Sequence, residues 1–356
     1  MNKPRILYIL PEYPQISETY MQVEIDALRD EYEIKIISLT EPDLSYRNHD
    51  PYQLIADPAQ IREAIAEFRP AVIHSHWLYR HVPLIGDLAK QTNVPFTIRA
   101  HSFDSIWEWK QPSLFGRLLG KNDVPQSIAN AVPIVNDDLC LGVLAFPFVR
   151  PHFERAGMRA EKIRDCYPVV NYERFHDSSP NGQAVMNGGA CLPKKQMEDF
   201  LELAMALPKM EFNLYAMGYQ VKGLHQANDK LGSPVNIKPA VEPQDMPREY
   251  KKHRWLVYTA SPEIIKTGWP VMIAEAQASG VGVCMRNIRP DLKEYVGECG
   301  FLYDSIHEIK NIISQPFPEE LRQMGFEHAK KSDIQWHKHI LTDLWRKAIP
   351  RDLVRQ

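Results

Sequence analysis

Short apolar runs alternate with helical patterns along most of this 356-residue chain, and that alternation restricts the fold more than any other feature. Residues 5–10 form a run of strand type that enters the proline-rich loop Pro11-Glu12-Tyr13-Pro14. Ser17 is placed to cap a helix in which Met21, Ile25 and Leu28 recur on one face. Residues 32–39 are again a strand. Strand, loop, helix and strand in about forty residues make a βαβ unit, which implies a parallel sheet. The pattern continues with helices over 61–68 and 84–90 and strands over 71–75 and 95–100, and 132–136 and 162–169 read as the last strands of a first half. After the polar run 176–183 the alternation starts again, with strands over 184–187, 211–217, 235–238, 255–259 and 281–285. Helices over 319–330 and 336–347 close the chain.

The length is too great for one ordinary core and predicts two domains. At 44% apolar and 24% charged residues the composition is globular. A net charge of -3 provides no overall basic field for nucleic acid. The five cysteines, Cys140, Cys166, Cys191, Cys284 and Cys299, have no C-x-x-C spacing, so neither a zinc site nor a disulfide framework is expected. The apolar run after Lys3 and Arg5 is too short for a signal core, and no run is long enough to span a bilayer. The expectation is a protein of the reducing cytoplasm, with attachment to the inner membrane face as the membrane option. No G-x-G fingerprint follows the first strand, so a dinucleotide cofactor is not expected.

The stretch from Thr267 to Gly280 stands apart. Pro270 suits the first position of a helix and Gly280 the left-handed cap beyond its end. Between them the residues are small or apolar on nearly every face, which predicts a helix buried all round. Glu275 lies in its middle, where an ionised carboxylate needs donors. Free amides at the helix start, beside Gly268 and Trp269, suit an anion. A ligand with a phosphate at one end and hydroxyls at the other would satisfy both. The competing reading is a core helix whose acid faces solvent or a structural arginine.

Thr267 to Glu275 resembles the E-G-[FW]-P-x-x-x-x-E-A segment of glycosyltransferase family 4, retaining enzymes of the GT-B fold that use nucleotide sugars. The resemblance implies that Glu275 holds the donor ribose, with Thr267, Gly268, Trp269, Val271 and Met272 near its phosphates and sugar. Pro14 to Tyr20, with Glu24, Ile25, Ala27 and Leu28, resembles the Y-P-x-x-S-E-T-F…E-I-x-A-L opening of a branch linked to bacterial polysaccharide assembly. Thr97 to Asp104 resembles the family's T-x-H-x-x-D turn, which makes His101 the site residue of the first domain, with His76 a weaker candidate. Gly188 to Gln196 resembles the G-R-L-x-x-x-K-G loop, in which Lys195 matches the lysine that neutralises the diphosphate. Residues 289–303 resemble the closing P-E-x-x-G…G-x-L stretch, with Glu294 or Asp291 as its acid.

The implied architecture is α/β GT-B, two Rossmann-like domains with parallel sheets facing a central cleft. Residues 1–175 form the acceptor-side domain and 176–335 the donor domain, and 336–356 supply a helix that crosses back. The implied activity is retaining, metal-independent transfer from a UDP- or GDP-linked sugar to a glycan or lipid-linked hydroxyl, with the nucleotide sugar as substrate rather than cofactor. No acidic D-x-D cluster is placed to hold a cation, and no protein nucleophile is required. Residues 105–121, where Trp107, Trp109, Phe115 and Leu118 interleave with Lys110, Arg117 and Lys121, could meet a lipid interface, though a lid or packed helix explains the pattern more economically. Two departures weaken the match. Ala190 stands where the family has arginine and Thr267 where it has glutamate, each removing a charged hydrogen bond of about 1.5–3 kcal/mol. A nucleotide-sugar-binding subunit with little turnover and a GT-B sugar-nucleotide epimerase are the alternatives. Lys194, Lys266 and Arg286 are candidates for compensating charge.

Overall fold

The computed structural model describes residues 3–42, 45–78, 81–101, 124–218 and 220–349. These form two sheets in which every strand pairing is parallel. The first has seven strands: β1 (Arg5–Glu12), β2 (Glu33–Thr40), β3 (Gln53–Leu54), β4 (Val72–His76), β5 (Phe96–Arg99), β6 (Cys140–Ala145) and β7 (Ile163–Asp165), in the order β3-β2-β1-β4-β5-β6-β7. The second has six: β8 (Ala184–Ala190), β9 (Phe212–Met217), β10 (Asn236–Ile237), β11 (His253–Tyr258), β12 (Gly282–Arg286) and β13 (Phe301–Tyr303), in the order β10-β9-β8-β11-β12-β13. Both orders reverse beside their first strand, the place where open parallel sheets bind ligands at the carboxyl ends of their strands.

Each sheet is buried on both faces, because right-handed crossovers put helices on either side. β1 shows it directly: Ile6, Leu7, Tyr8, Ile9 and Leu10 are all fully buried, and alternate members enter different core clusters. The pattern 21/25/28 holds, but the first helix is Thr19–Leu28 and is capped by Glu18 without a side-chain bond from Ser17. Glu24, on that same face, is fully buried as well.

One predicted strand is a helix. Residues 132–135 form the end of Gln126–Val135, with Asn136 as its C-cap, and the strand of that region is Cys140–Ala145. The β-branched run Val132-Pro133-Ile134-Val135 suggests a strand, yet Ile128, Ala131 and Val135 fall at helical spacing and fill the core. The true strand was hidden by Gly142, whose missing side chain admits Leu344: a Cβ there would sit 3.0 Å from Leu344 Cδ1. The strand expected over 162–169 is confined to Ile163–Asp165.

The Ile334–Trp345 helix returns to the first sheet. Ile334, Leu341, Leu344 and Trp345 share a core cluster with Ile6, Tyr8 and Leu144. Trp345 Nε1 donates to Thr97 Oγ1 at 2.9 Å, and Lys338 pairs with Glu31 at 3.1 Å. No helix of the described residues is long and apolar enough to cross a membrane. The segment 105–121, read as a possible lipid contact, lies outside the described residues, as do Ser102, Phe103 and Asp104 of the turn after β5.

Candidate active site

The carboxyl ends of the two sheets border one cleft of about 1150 Å³. One wall carries Tyr20, Trp77 and His101, and the other carries Lys194, Lys195, Thr267, Gly268, Trp269, Val271, Met272 and Glu275. His101, Lys195, Thr267, Gly268, Trp269, Val271, Met272 and Glu275 therefore border a single space, whereas Glu294, its alternative Asp291 and the weaker candidate His76 do not line it. Arg174, from the segment joining the two sheets, lines it too.

The Glu275 helix runs Val271–Ala278, with Pro270 as N-cap and Gly280 at φ 72° past its end. Ile273, Ala274, Ala276, Gln277 and Ala278 are buried, which leaves the Val271, Met272 and Glu275 face partly open to the cleft. Neither solvent nor an arginine holds the carboxylate: Tyr250 Oη donates to Oε2 at 2.7 Å from a fully buried ring. Burial pushes the Glu275 carboxyl up to about 7, against smaller opposing effects of the Tyr250 bond and the Arg174 charge. The folded protein thus binds this proton more tightly than the unfolded chain, whose carboxyl has its ordinary value of 4.5. Its contribution to stability is complete below about pH 4.5 and is lost as pH rises through about 7. Wild-type stability in the ligand-free protein is therefore expected to fall across that window more steeply than that of Glu275→Gln. The difference is at most about 1.4 kcal/mol per pH unit and reduced by solvent in the cleft; urea titrations at several pH values measure it, and parallel slopes would contradict the burial effect.

Lys195 follows β8 in a single 3-10 turn, Pro193–Lys195. Its Nζ donates to the Gly188 carbonyl at 3.4 Å and lies 5.0 Å from the Tyr258 ring centre. Gly189 sits at φ 109°, a backbone conformation that favours glycine because other residues are strained there. Burial lowers Lys195 to about 8, and burial with the charges of Lys195 and Lys266 lowers Lys194 to about 8. Ala190 borders the cleft with these two lysines, whereas Lys266 and Arg286 are not among its lining residues.

Loop 265–269 is held from behind. Arg289 donates to the carbonyls of Ile265, at 2.9 Å, and of Thr267, and grips Asp291 through two bonds of 2.8 and 2.9 Å. Trp269 Nε1 donates to the same carboxylate at 2.8 Å, and its ring stacks on Tyr295 at 4.9 Å and packs against Phe146, Phe148 and Tyr167 of the first half. Trp269 therefore joins the two halves with its side chain while its loop borders the cleft. Asp291 is engaged in this brace. Glu294 is exposed, accepts from Tyr167 Oη at 2.6 Å and does not line the cleft that Tyr167 borders. Thr267 is buried, and its hydroxyl donates to the Lys194 carbonyl at 3.4 Å.

Behind His101 lies a buried polar cluster. Parallel register places His74 beside Tyr8 and Thr97, and His76 beside Arg99. Both histidines point from one face of β4 toward Glu24, whose Oε1 lies 3.0 Å from His74 Nε2 and 3.2 Å from His76 Nε2. Tyr8 Oη donates to Oε1 at 3.1 Å, and Arg99 Nε donates to Oε2 at 2.9 Å, with its NH2 group on the same oxygen. Although burial opposes ionisation, the Arg99 charge and the histidine bonds hold Glu24 well below the usual carboxylate range. Glu24, His74 and His76 are the one group among the described residues whose ligand atoms converge closely enough for a metal ion. The Arg99 guanidinium already supplies the positive charge that this carboxylate needs. Sequence reasoning missed Tyr250 and Arg99, and treated Glu24 only as part of a motif. Its place on the 21/25/28 face was the available signal.

No protein-family model and no curated protein matches the sequence. Solved structures do match over nearly the whole chain. HepE of Anabaena, solved with UDP-glucose, superposes with a TM-score of 0.74 at 17% identity, covering 96% of this chain and 99% of that one. Sucrose-phosphate synthase of Thermosynechococcus elongatus gives 0.70 at 14% identity, over 97% and 99% of the two chains. A glycosyltransferase of Rickettsia africae gives 0.67 at 14% identity, over 99% and 100%. The fold is GT-B. Two Rossmann-like halves with facing strand ends are what the GT-B architecture consists of, and the cleft is the space between them.

Proposed function

We propose that this GT-B chain is a glycosyltransferase that moves a sugar from a UDP-linked donor to a hydroxyl acceptor. The observation that carries this reading is that Glu275, Lys194 and Lys195 border one cleft while each is shifted by burial toward its neutral form. A nucleoside diphosphate corrects all three: its ribose hydroxyls donate to the carboxylate and its phosphates restore charge to the lysines. HepE with UDP-glucose supports the choice of uridine over guanosine. The donor is assigned to 176–335, the acceptor to 1–175, and 336–356 to the return helix.

In this reading Lys195, seconded by Lys194 in place of the arginine that Ala190 replaces, stabilises the departing diphosphate without a metal ion. His101 and Thr267 orient the transferred sugar. The acceptor attacks from the face that the diphosphate leaves, with retention, and the leaving phosphate takes up the acceptor proton. Surface polysaccharide or a lipid-linked glycan is the proposed acceptor. Ala190 and Thr267 favour one second reading, a subunit that binds the nucleotide sugar with little turnover.

Incubation with UDP- and GDP-sugars separates the readings. UDP-sugar binding with sugar release or transfer supports the enzyme; saturable binding without either, with and without acceptors, supports the subunit; no binding rejects both. Lys195→Ala is expected to weaken UDP affinity by the about 1.5–3 kcal/mol of a charged hydrogen bond, roughly 10–100-fold, while affinity for uridine stays unchanged. Equal losses for both ligands would remove Lys195 from the phosphates.

A further inference from the structure

The polarity of the hydrogen bonds behind His101 can be followed atom by atom. Glu24 is fully buried and its Oε2 accepts from Arg99, which has no acceptor to offer. An ionised carboxylate only accepts, so the 3.2 Å contact from His76 Nε2 to Oε1 requires a proton on Nε2. Burial lowers His76 to about 4, so at neutral pH its ring carries a single proton and Nδ1 keeps a lone pair. That Nδ1 lies 3.1 Å from His101 Nε2. The proton of that bond must therefore belong to His101 Nε2. Burial, followed by the neighbouring His76 and Arg99, holds His101 well below its ordinary value, so its ring is neutral too and its one proton is the one on Nε2. Tyr20 at 4.7 Å, Trp77 at 4.5 Å and the stacked His76 at 5.2 Å fix the plane of the ring.

We propose that Glu24 and His76 are positioning residues that lock the cleft histidine His101 in the Nε2–H tautomer. The consequence for turnover rests on the proposed sugar transfer; the tautomer itself does not.

The test is long-range 1H–15N correlation NMR at neutral pH on protein labelled with 15N-histidine, the His101 signals being assigned by their absence from His101→Asn. In the wild type His101 is expected to show a protonated-type Nε2 and an unprotonated-type Nδ1; the reverse overturns the proposal without any variant. Glu24→Gln turns an amide NH2 toward His76 and should invert both bonds, moving the His101 proton to Nδ1. Should that variant fail to fold, His76→Leu keeps the Glu24–Arg99 pair and removes only the link, and His101 should then populate both tautomers. A folded variant of either kind with an unchanged His101 tautomer overturns the relay. In transfer assays Glu24→Gln should lower kcat about tenfold, the value of one well-placed hydrogen bond, with UDP affinity unaltered. An inverted tautomer with full kcat would deny the positioning role. A wild type that binds no nucleotide sugar would reject the proposed function and leave the relay standing.

Discussion

Replacing Glu275 with alanine is expected to weaken UDP binding roughly 10–100-fold, the about 1.5–3 kcal/mol of hydrogen bonding to a charged group. Glu275 is the carboxylate of a helix otherwise packed with small and apolar side chains, and one oxygen already accepts from Tyr250. The remaining acceptor capacity belongs to the cleft. Alanine also strands the Tyr250 hydroxyl, which is why Glu275→Gln is the companion variant. Its amide oxygen can still accept from Tyr250, while the charge is gone, so affinity should fall about tenfold with little change in stability. A further consequence follows from the carboxyl's value near 7. In the proposed ribose contact the hydroxyls bind the ionised form, so wild-type UDP binding near pH 6.5 should release a proton, and the calorimetric enthalpy should vary with the ionisation enthalpy of the buffer. In Glu275→Gln the carboxyl's share of that variation should be absent, leaving only what the lysines and the phosphate contribute. Unchanged affinity in both variants would take the ribose away from this helix.

Trp345→Ala is expected to destabilise the protein by about 3–5 kcal/mol, the range for truncating a fully buried tryptophan. Its ring is entirely buried, meets Tyr32 edge-on at 5.2 Å and His74 at 5.8 Å, and donates to Thr97. Alanine leaves a cavity between the return helix and the first sheet and removes a donor from the polar cluster. Urea unfolding followed by tryptophan fluorescence measures the change. A loss under about 1 kcal/mol would mean that the helix does not dock on that sheet. UDP affinity, measured where the variant is folded, should be retained, because Trp345 does not line the cleft.

Legibility differed between elements for identifiable reasons. The strands of both sheets were readable where apolar runs were bounded by turn residues, and the helix ending at Gly280 was readable from its proline and glycine. The exchange of strand for helix around residue 133 arose because a β-branched run also satisfies a helical face when its 128/131/135 positions reach a core. Lys195 and Glu275 were legible as cleft residues because each sits in a stretch that resembles a family motif, and both line the cleft. Arg99 and Tyr250 carried no local signal. Arg99 is an ordinary strand residue until Glu24, 75 positions away, meets it, and Tyr250 until Glu275 does, 25 positions on.

Chain length and periodicity together carried the choice of two parallel α/β halves, since the alternation of periods two and 3.6 is set within each segment by which face must leave water. Whether an acid in an apolar helix would face solvent, an arginine or a tyrosine, and which proton each buried histidine would keep, depended on atoms brought together from distant segments. Those outcomes belong to desolvation and hydrogen-bond geometry across the packed sheets, quantities that come into being only when the strands are in register.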